Sequence, residues 1–252
     1  MLRVLAAALA LAVSGCATTS GDPRDPFEGL NRGVYSFNDK VDTWVMRPVA
    51  TGYSNYVPGE IRDRVRNFFA NIADPMIGVH NILQGKFEDG FFDWVRFGFN
   101  STVGLFGLHD VASDMGYEKH NEDFGQTFGR WGSPPGPYLV LPFLGSSNVR
   151  DGVGLGLDYY FDPMSGVGDK EFRYGLWGVR IVQVRSDLLD ASRILEEAAL
   201  DKYTFQRDAY LQRRRSLIYD GRPPRERERE PESGVNPQEG RDVDNIAAGG
   251  RP

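Results

Sequence analysis

Residues 87–103, FEDGFFDWVRFGFNSTV, decide how the chain is read. On a helical wheel Phe87, Phe91, Phe92, Trp94, Val95, Phe97, Phe99 and Val103 cover roughly two thirds of the circumference. Asp89, Asp93, Arg96 and Asn100, spaced i, i+4, i+7 and i+11, form one narrow polar stripe. A surface helix in water has the opposite proportions. Two arrangements satisfy the pattern. In one, the helix is surrounded by protein core and the stripe meets solvent. In the other, the apolar arc faces acyl chains or neighbouring helices and the stripe faces a polar passage, where Asp93 and Arg96 pair across one turn. Gly90 and Gly98 permit bending or close packing.

The flanking sequence is also mainly helical. Ile61, Val65, Phe68, Phe69 and Ile72 keep helical spacing, and Arg62, Arg64 and Arg66 share the remaining faces with Asp63 and Asn67. That composition suits an interfacial helix beside anionic head groups and equally a helix with a solvated face. Ile181, Val184, Leu188, Ala191, Leu195 and Ala199 predict a conventional water-facing amphipathic helix. Prolines at 134, 135, 137 and 142 make residues 129–145 a rigid extended loop with an apolar centre, Tyr138 to Leu144. The expected fold is all-α, with proline-rich loops and disordered termini.

At the amino end, Arg3, the apolar run Val4 to Val13, and Ser14–Gly15 have the order of a secretory signal. The run is about half of the roughly 20 residues that a membrane-crossing helix needs. Val13-Ser14-Gly15-Cys16 matches a lipobox, and Cys16 is the one cysteine in 252 residues, so an internal disulfide is excluded and lipidation accounts for the thiol. Acyl chains add about 0.8 kcal/mol per buried methylene, and two or more anchor stably. Ala17, rather than Asp, after Cys16 favours the outer membrane over inner-membrane retention. The expected organisation is a signal peptide at 1–15, a lipidated tether at 16–24, a helical domain at 25–220 and a disordered charged tail at 221–252. The tail contains RERERE, which reads as a solvated run or an electrostatic contact patch.

The chain carries sixteen Phe, eleven Tyr and four Trp but an ordinary charged fraction, so its apolar residues are concentrated locally. A net charge of -6 without a basic stripe argues against nucleic acid. Enzyme chemistry finds little support. There is no GxSxG elbow and no HExxH pair, Ser101 in GFNSTVG lacks the elbow's glycine spacing, and Gly152, Gly154 and Gly156 resemble a phosphate loop only loosely and read rather as close backbone packing. His109, Asp110, Asp114, Glu118, His120, Glu122 and Asp123 offer metal-ligating atoms, but at no recognised spacing, and read as capping and solvating groups. His80 has no evident partner in sequence. No cofactor, metal or catalytic residue is expected.

DPFEGLNRGVYSFNDKVD (Asp25 to Asp42) and RPVATGYSNYVP (Arg47 to Pro58) resemble the opening of the MlaA (VacJ-type) outer-membrane lipoproteins. The likeness continues through FFANIADP, NILQGKF, RFGFNSTVGLFGLHDVAS, EDFGQTFGRWGSPPGPYLVLPFLGSSNVRD and AYLQRRR, spanning Asp25 to Gly221. The resemblance implies a ring-like helical protein in the periplasmic leaflet with an amphipathic pore and a porin trimer as neighbour. It further implies removal of mislocalised phospholipid from the outer leaflet, handed to a soluble periplasmic lipid carrier, so that lipid asymmetry is maintained. His109 stands where that pattern has an apolar residue, and Ser146 where it has Pro. The leading expectation is a passive lipid conduit with Asp89, Asp93, Arg96 and Asn100 on its path. The alternatives are a structural lipoprotein adaptor that positions porins and, third, a lipid hydrolase.

Overall fold

The computed structural model describes residues 21–224; the expected signal peptide, Cys16, the tether up to residue 20 and the tail from 225 lie outside the described residues. The chain enters at residues 21–27, where Asp22 pairs with Arg207 at 3.1 Å and Arg24 O accepts from Tyr138 N at 2.9 Å. Helix α1 (Glu28–Val41) runs through a π-helical turn (Asp42–Met46) into α2 (Arg47–Tyr56). Pro58 then caps α3 (Gly59–Leu83), the longest helix, which is followed by α4 (Phe87–Thr102). The helix expected around Ile61 to Ile72 therefore extends past Pro75 to Leu83.

The α3–α4 pair is held by contact of its backbones. A Cβ on Gly78 would lie 2.7 Å from the Trp94 ring and 2.9 Å from Gly90 O, and one on Gly90 would lie 2.7 Å from Gly78 O. Only glycine permits that approach. Gly98, by contrast, faces open space. Trp94 Nε1 donates to Pro75 O at 3.1 Å and ties the second helix to the first. Beyond α4, Leu105 and Phe106 adopt left-handed backbone, at φ 54° and 60°, and both side chains are exposed. Such conformations cost on the order of 1–3 kcal/mol each, offset by surrounding structure.

Short helices α5 (Val111–Asp114) and α6 (Phe124–Arg130) follow, capped by Asp110 and Asp123, whose carboxylates accept from Ser113 N and Gln126 N. The proline-rich stretch is extended, as its composition dictates, and part of it pairs: β1 (Tyr138–Leu141) and β2 (Gly145–Asn148) form an antiparallel ribbon with Tyr138 opposite Asn148. A purely looped segment would have left its buried backbone unpaired. Asn31 completes the pairing on the other edge, donating to Tyr138 O at 3.0 Å and accepting from Val140 N at 2.9 Å. Ribbon and C-terminal helix share the small aromatic core of Tyr138, Val140 and Tyr203.

Helix α7 (Val149–Phe161) crosses α6 at Gly154, where a Cβ would lie 2.5 Å from Gly125 N. Close packing, not a phosphate cradle, is the work of that glycine. A 3-10 turn (Pro163–Gly166) leads to α8 (Lys170–Asp187), α9 (Leu189–Ala198) and α10 (Lys202–Ile218). The single helix expected over 181–199 is thus two, broken at Leu188. Its faces also differ from expectation: Ile181, Val184 and Leu188 are exposed while Gln183 and Ser186 are buried. The reason is the partner surface, since Tyr53 donates to Gln183 Oε1 at 2.7 Å and gives α8 a polar neighbour.

The same inversion governs the whole fold. Among the described residues nine buried side chains are hydrophobic and eighteen are polar or charged. A water-soluble core has the reverse balance. No helix among the described residues is long and apolar enough to cross a membrane.

Candidate functional site: a polar layer and its cleft

Helix α4 turns its apolar arc outward and its stripe inward. Phe87, Phe91 and Trp94 are 69%, 58% and 46% exposed, whereas Asp93, Arg96 and Asn100 are 0%, 1% and 3% exposed. The arrangement with the stripe toward solvent is not the one adopted. Asp89 sits half-buried in the first turn, where its charge complements the helix dipole.

The stripe residues have partners in other elements. Asp93 accepts from Asn81 Nδ2 at 2.7 Å and lies 2.9 Å from His120 Nδ1. Arg96 forms a two-pronged bond to Asp110 at 2.9 and 3.0 Å, donates to Ser113 Oγ at 3.1 Å and reaches Tyr117 O. Asn100 donates to Asp110 Oδ1 and accepts from Ala112 N, both at 2.9 Å. The pairing expected between Asp93 and Arg96 is replaced by these contacts. Arg96 is long enough to reach the 110–117 loop, while the shorter Asp93 stays beneath α3. Burial acts to raise the Asp110 carboxyl, but hydrogen bonds from Ser113, Asn100 and Arg96 hold it below the ordinary carboxylate range.

Asp74 on α3 connects this layer to an opening. One of its oxygens bonds Lys119, and the other lies 3.9 Å from Arg96 Nε. Burial pushes the Asp74 carboxyl up, against the opposing pull of Lys119 and then Arg96. Lys119 also donates to Ala70 O at 3.0 Å. Its ammonium lines a cleft of about 180 Å³ between α3 and α8. One wall is apolar, with Phe69, Ala70, Ala73 and Ile77 from α3. Cations border it on both sides, Arg66 from α3 and Lys119 and Arg180 from across the opening, beside Asn121, Gln183 and the carboxylate of Asp187. Arg66 and Arg180 are held by Asp187 at 3.3 Å and Asp162 at 2.8 Å. Such a cleft matches an amphipathic molecule: guanidinium and ammonium groups meet phosphate oxygens, and the alanine-rich wall accommodates hydrocarbon.

Sequence reasoning located the stripe but missed the cleft. Arg66, Lys119 and Arg180 are far apart in the chain and share no spacing. The metal-ligating candidates separate: His109 sits beside Arg64, Asp110 on Arg96, His120 on Asp93, Glu122 on Lys86 and Asp123 on Arg214. His80 acquires partners, with Nδ1 3.1 Å from Thr127 Oγ1 and Nε2 3.5 Å from Asp158. Ser101 accepts from Asn71 at 2.9 Å.

The family model described as MlaA lipoprotein matches residues 23–217. The chain belongs to the MlaA lipoprotein family. It is similar to the "Intermembrane phospholipid transport system lipoprotein MlaA" of Escherichia coli (strain K12), 34% identical over 222 residues that cover 84% of this chain and 88% of that one. The Haemophilus influenzae protein of the same description is 29% identical with the same coverage, 84% and 88%. An uncharacterized protein of Rickettsia bellii is 33% identical over 82% of this chain and 80% of that one. A solved structure reported as "Structural basis for maintenance of bacterial outer membrane lipid asymmetry" superposes with a TM-score of 0.67 at 34% identity, covering 77% of this chain and 98% of that chain. The MlaA family is thereby matched in helical fold as well as in sequence. Ser146, one departure from the MlaA pattern, uses its hydroxyl: its Oγ is 2.9 Å from Tyr138 OH and accepts from Gln206 at 3.1 Å.

Proposed function

We propose that this MlaA-family chain is an outer-membrane lipoprotein, anchored at Cys16, that removes phospholipid from the outer leaflet and passes it to a soluble periplasmic carrier. The observation that carries the reading is the inverted burial of α4, apolar arc outward and charged stripe inward. A protein embedded in the periplasmic leaflet would expose hydrocarbon-compatible surface and keep its polar groups for an internal path. The α3–α8 cleft is the portion of that amphipathic pore where a phosphate meets cations. Asp93, Arg96 and Asn100 lie in the polar layer behind it and are not among its lining residues, Asp89 stands apart in the first turn of α4, and Asp74 and Lys119 join that layer to the opening. Transport needs no covalent step and no cofactor, because the head group moves between polar partners while the acyl chains stay in hydrocarbon. The described names of the E. coli and H. influenzae relatives support phospholipid as the cargo. The porin trimer is proposed as a neighbour from the family resemblance.

The test is outer-leaflet phospholipid content in cells lacking the gene and complemented with variants. Wild-type chain restores asymmetry. Lys119→Glu, expressed at normal level, leaves outer-leaflet phospholipid raised several-fold, and Cys16→Ser loses most activity. Intact asymmetry without the gene, accompanied by altered porin complexes, would replace this reading with that of a porin-positioning adaptor.

A further inference from the structure

The proline loop after α6 and the C-terminal half of α10 enclose a second cavity, of about 480 Å³, that shares no lining residue with the α3–α8 cleft. Arg24, Arg150, Arg214 and Arg215 line it, and among the described residues no carboxylate does; Arg24 is also paired with Asp22 and Asp208, and Arg215 donates to Pro224 O. Two of these arginines are built into the fold: the side chains of Arg150 and Arg214 are only 5% and 14% exposed. Asp151 and Asp123 hold them in place.

A guanidinium has five N–H donors. Arg150 engages Asp151 through Nε and Nη2 and Ser133 O through Nη1. Arg214 engages Asp151 through Nε and Asp123 through both terminal nitrogens. Each guanidinium keeps two N–H donors beyond these contacts, on a side chain that borders the cavity. The remaining lining includes Pro134, Pro135, Ile218 and Tyr219, which give an apolar wall. The proline rings fix that wall's shape. The volume lies within the range of about 300–1,000 Å³ usual for small-molecule sites.

We infer that this cavity binds an anionic amphiphile, a phosphodiester head group joined to an apolar body, of the class of an anionic glycerophospholipid. Guanidinium groups recognise phosphate oxygens in pairs. The carboxylates that hold Arg24, Arg150 and Arg214 are not among the described lining residues, so the charged groups bordering the cavity are guanidiniums, which favours anionic over zwitterionic head groups. Naming the amphiphile a phospholipid rests on the proposed function; the cation-lined cavity itself does not.

The full-length lipidated protein in a neutral detergent tests this by calorimetric titration with dihexanoyl phosphatidylglycerol, dihexanoyl phosphatidylcholine and inorganic phosphate. Phosphatidylglycerol is expected to bind at least tenfold more tightly than the other two. Ser133→Trp, at an exposed position on the rim, and Arg215→Gln are each expected to weaken it about tenfold while the thermal melt is unchanged. Equal binding of phosphatidylcholine, equal binding of inorganic phosphate, or phosphatidylglycerol binding unaltered in both variants overturns the proposal. Binding that emerges only after residues 225–252 are deleted assigns the cavity to the chain's own glutamate-bearing tail and overturns it too. Failed binding by a chain that still restores lipid asymmetry removes this site and leaves the proposed function standing.

Discussion

Arg96 holds three things at once: Asp110, the 113–117 loop and, more loosely, Asp74. Removing one partner of a buried pair strands the other, at about 3–5 kcal/mol. Arg96→Met is therefore expected to lower unfolding stability in detergent by that amount, read from denaturant midpoints. Gly90 is a steric counterpart. Its added methyl would meet Gly78 O and the Ile82 side chain, so Gly90→Ala is expected to cost about 1–3 kcal/mol, while Gly98→Ala, in open space, costs nothing measurable. The acid response has its own address. For Asp123 and for Asp151, burial acts to raise the carboxyl, but bonds and charges from Arg214 and neighbouring groups bring it below the ordinary value of 3.8. A depressed folded value contributes stability that is present above pH 3.8 and is lost as pH falls through the folded value. Melting temperature followed from pH 6 to pH 2 should show that loss below about pH 4. Asp151→Asn should be less stable at pH 6 and show a smaller decline.

At the scale of elements, α4 was legible in sequence to its ends. Its apolar arc and polar stripe are fixed by residue identity at 3.6-residue spacing, and the fold uses both. Which side faces inward was not legible, because periodicity reports two faces and not the solvent each one meets. Helix α8 makes the same point: Ile181 and Val184 looked like a core-facing row, yet Gln183 faces inward because Tyr53 waits there with a hydroxyl. The ribbon of β1 and β2 was legible only as an extended segment. Its pairing depends on Asn31, more than 100 residues away, bonding the backbone of Tyr138 and Val140. The cleft was invisible for a related reason, since Arg66, Lys119 and Arg180 meet only through the packing of α3 against α8. If the outward arc of α4 meets lipid, Phe87→Lys with Phe91→Lys should leave the melt in detergent unchanged and reduce vesicle binding of the Cys16→Ser chain at least several-fold. Unchanged vesicle binding would move the lipid contact elsewhere.

The molecule as a whole buries more polar than hydrophobic side chains among the described residues and exposes many of its aromatic ones, Phe87, Phe91, Phe106 and Phe143 among them. In water that distribution would expose large apolar patches, a liability for any monomer. In one leaflet of a membrane, the setting proposed for this chain, it is the favourable arrangement. Trp94, 46% exposed on the outward arc, reports directly on that surface. A chain retaining Trp94 alone, with Trp44, Trp131 and Trp177 replaced by Phe and Cys16 by Ser, can be reconstituted into vesicles whose acyl chains carry bromine. Fluorescence quenched by the brominated chains and shielded from aqueous acrylamide is the predicted result. Full acrylamide quenching with no effect of bromine would contradict the account.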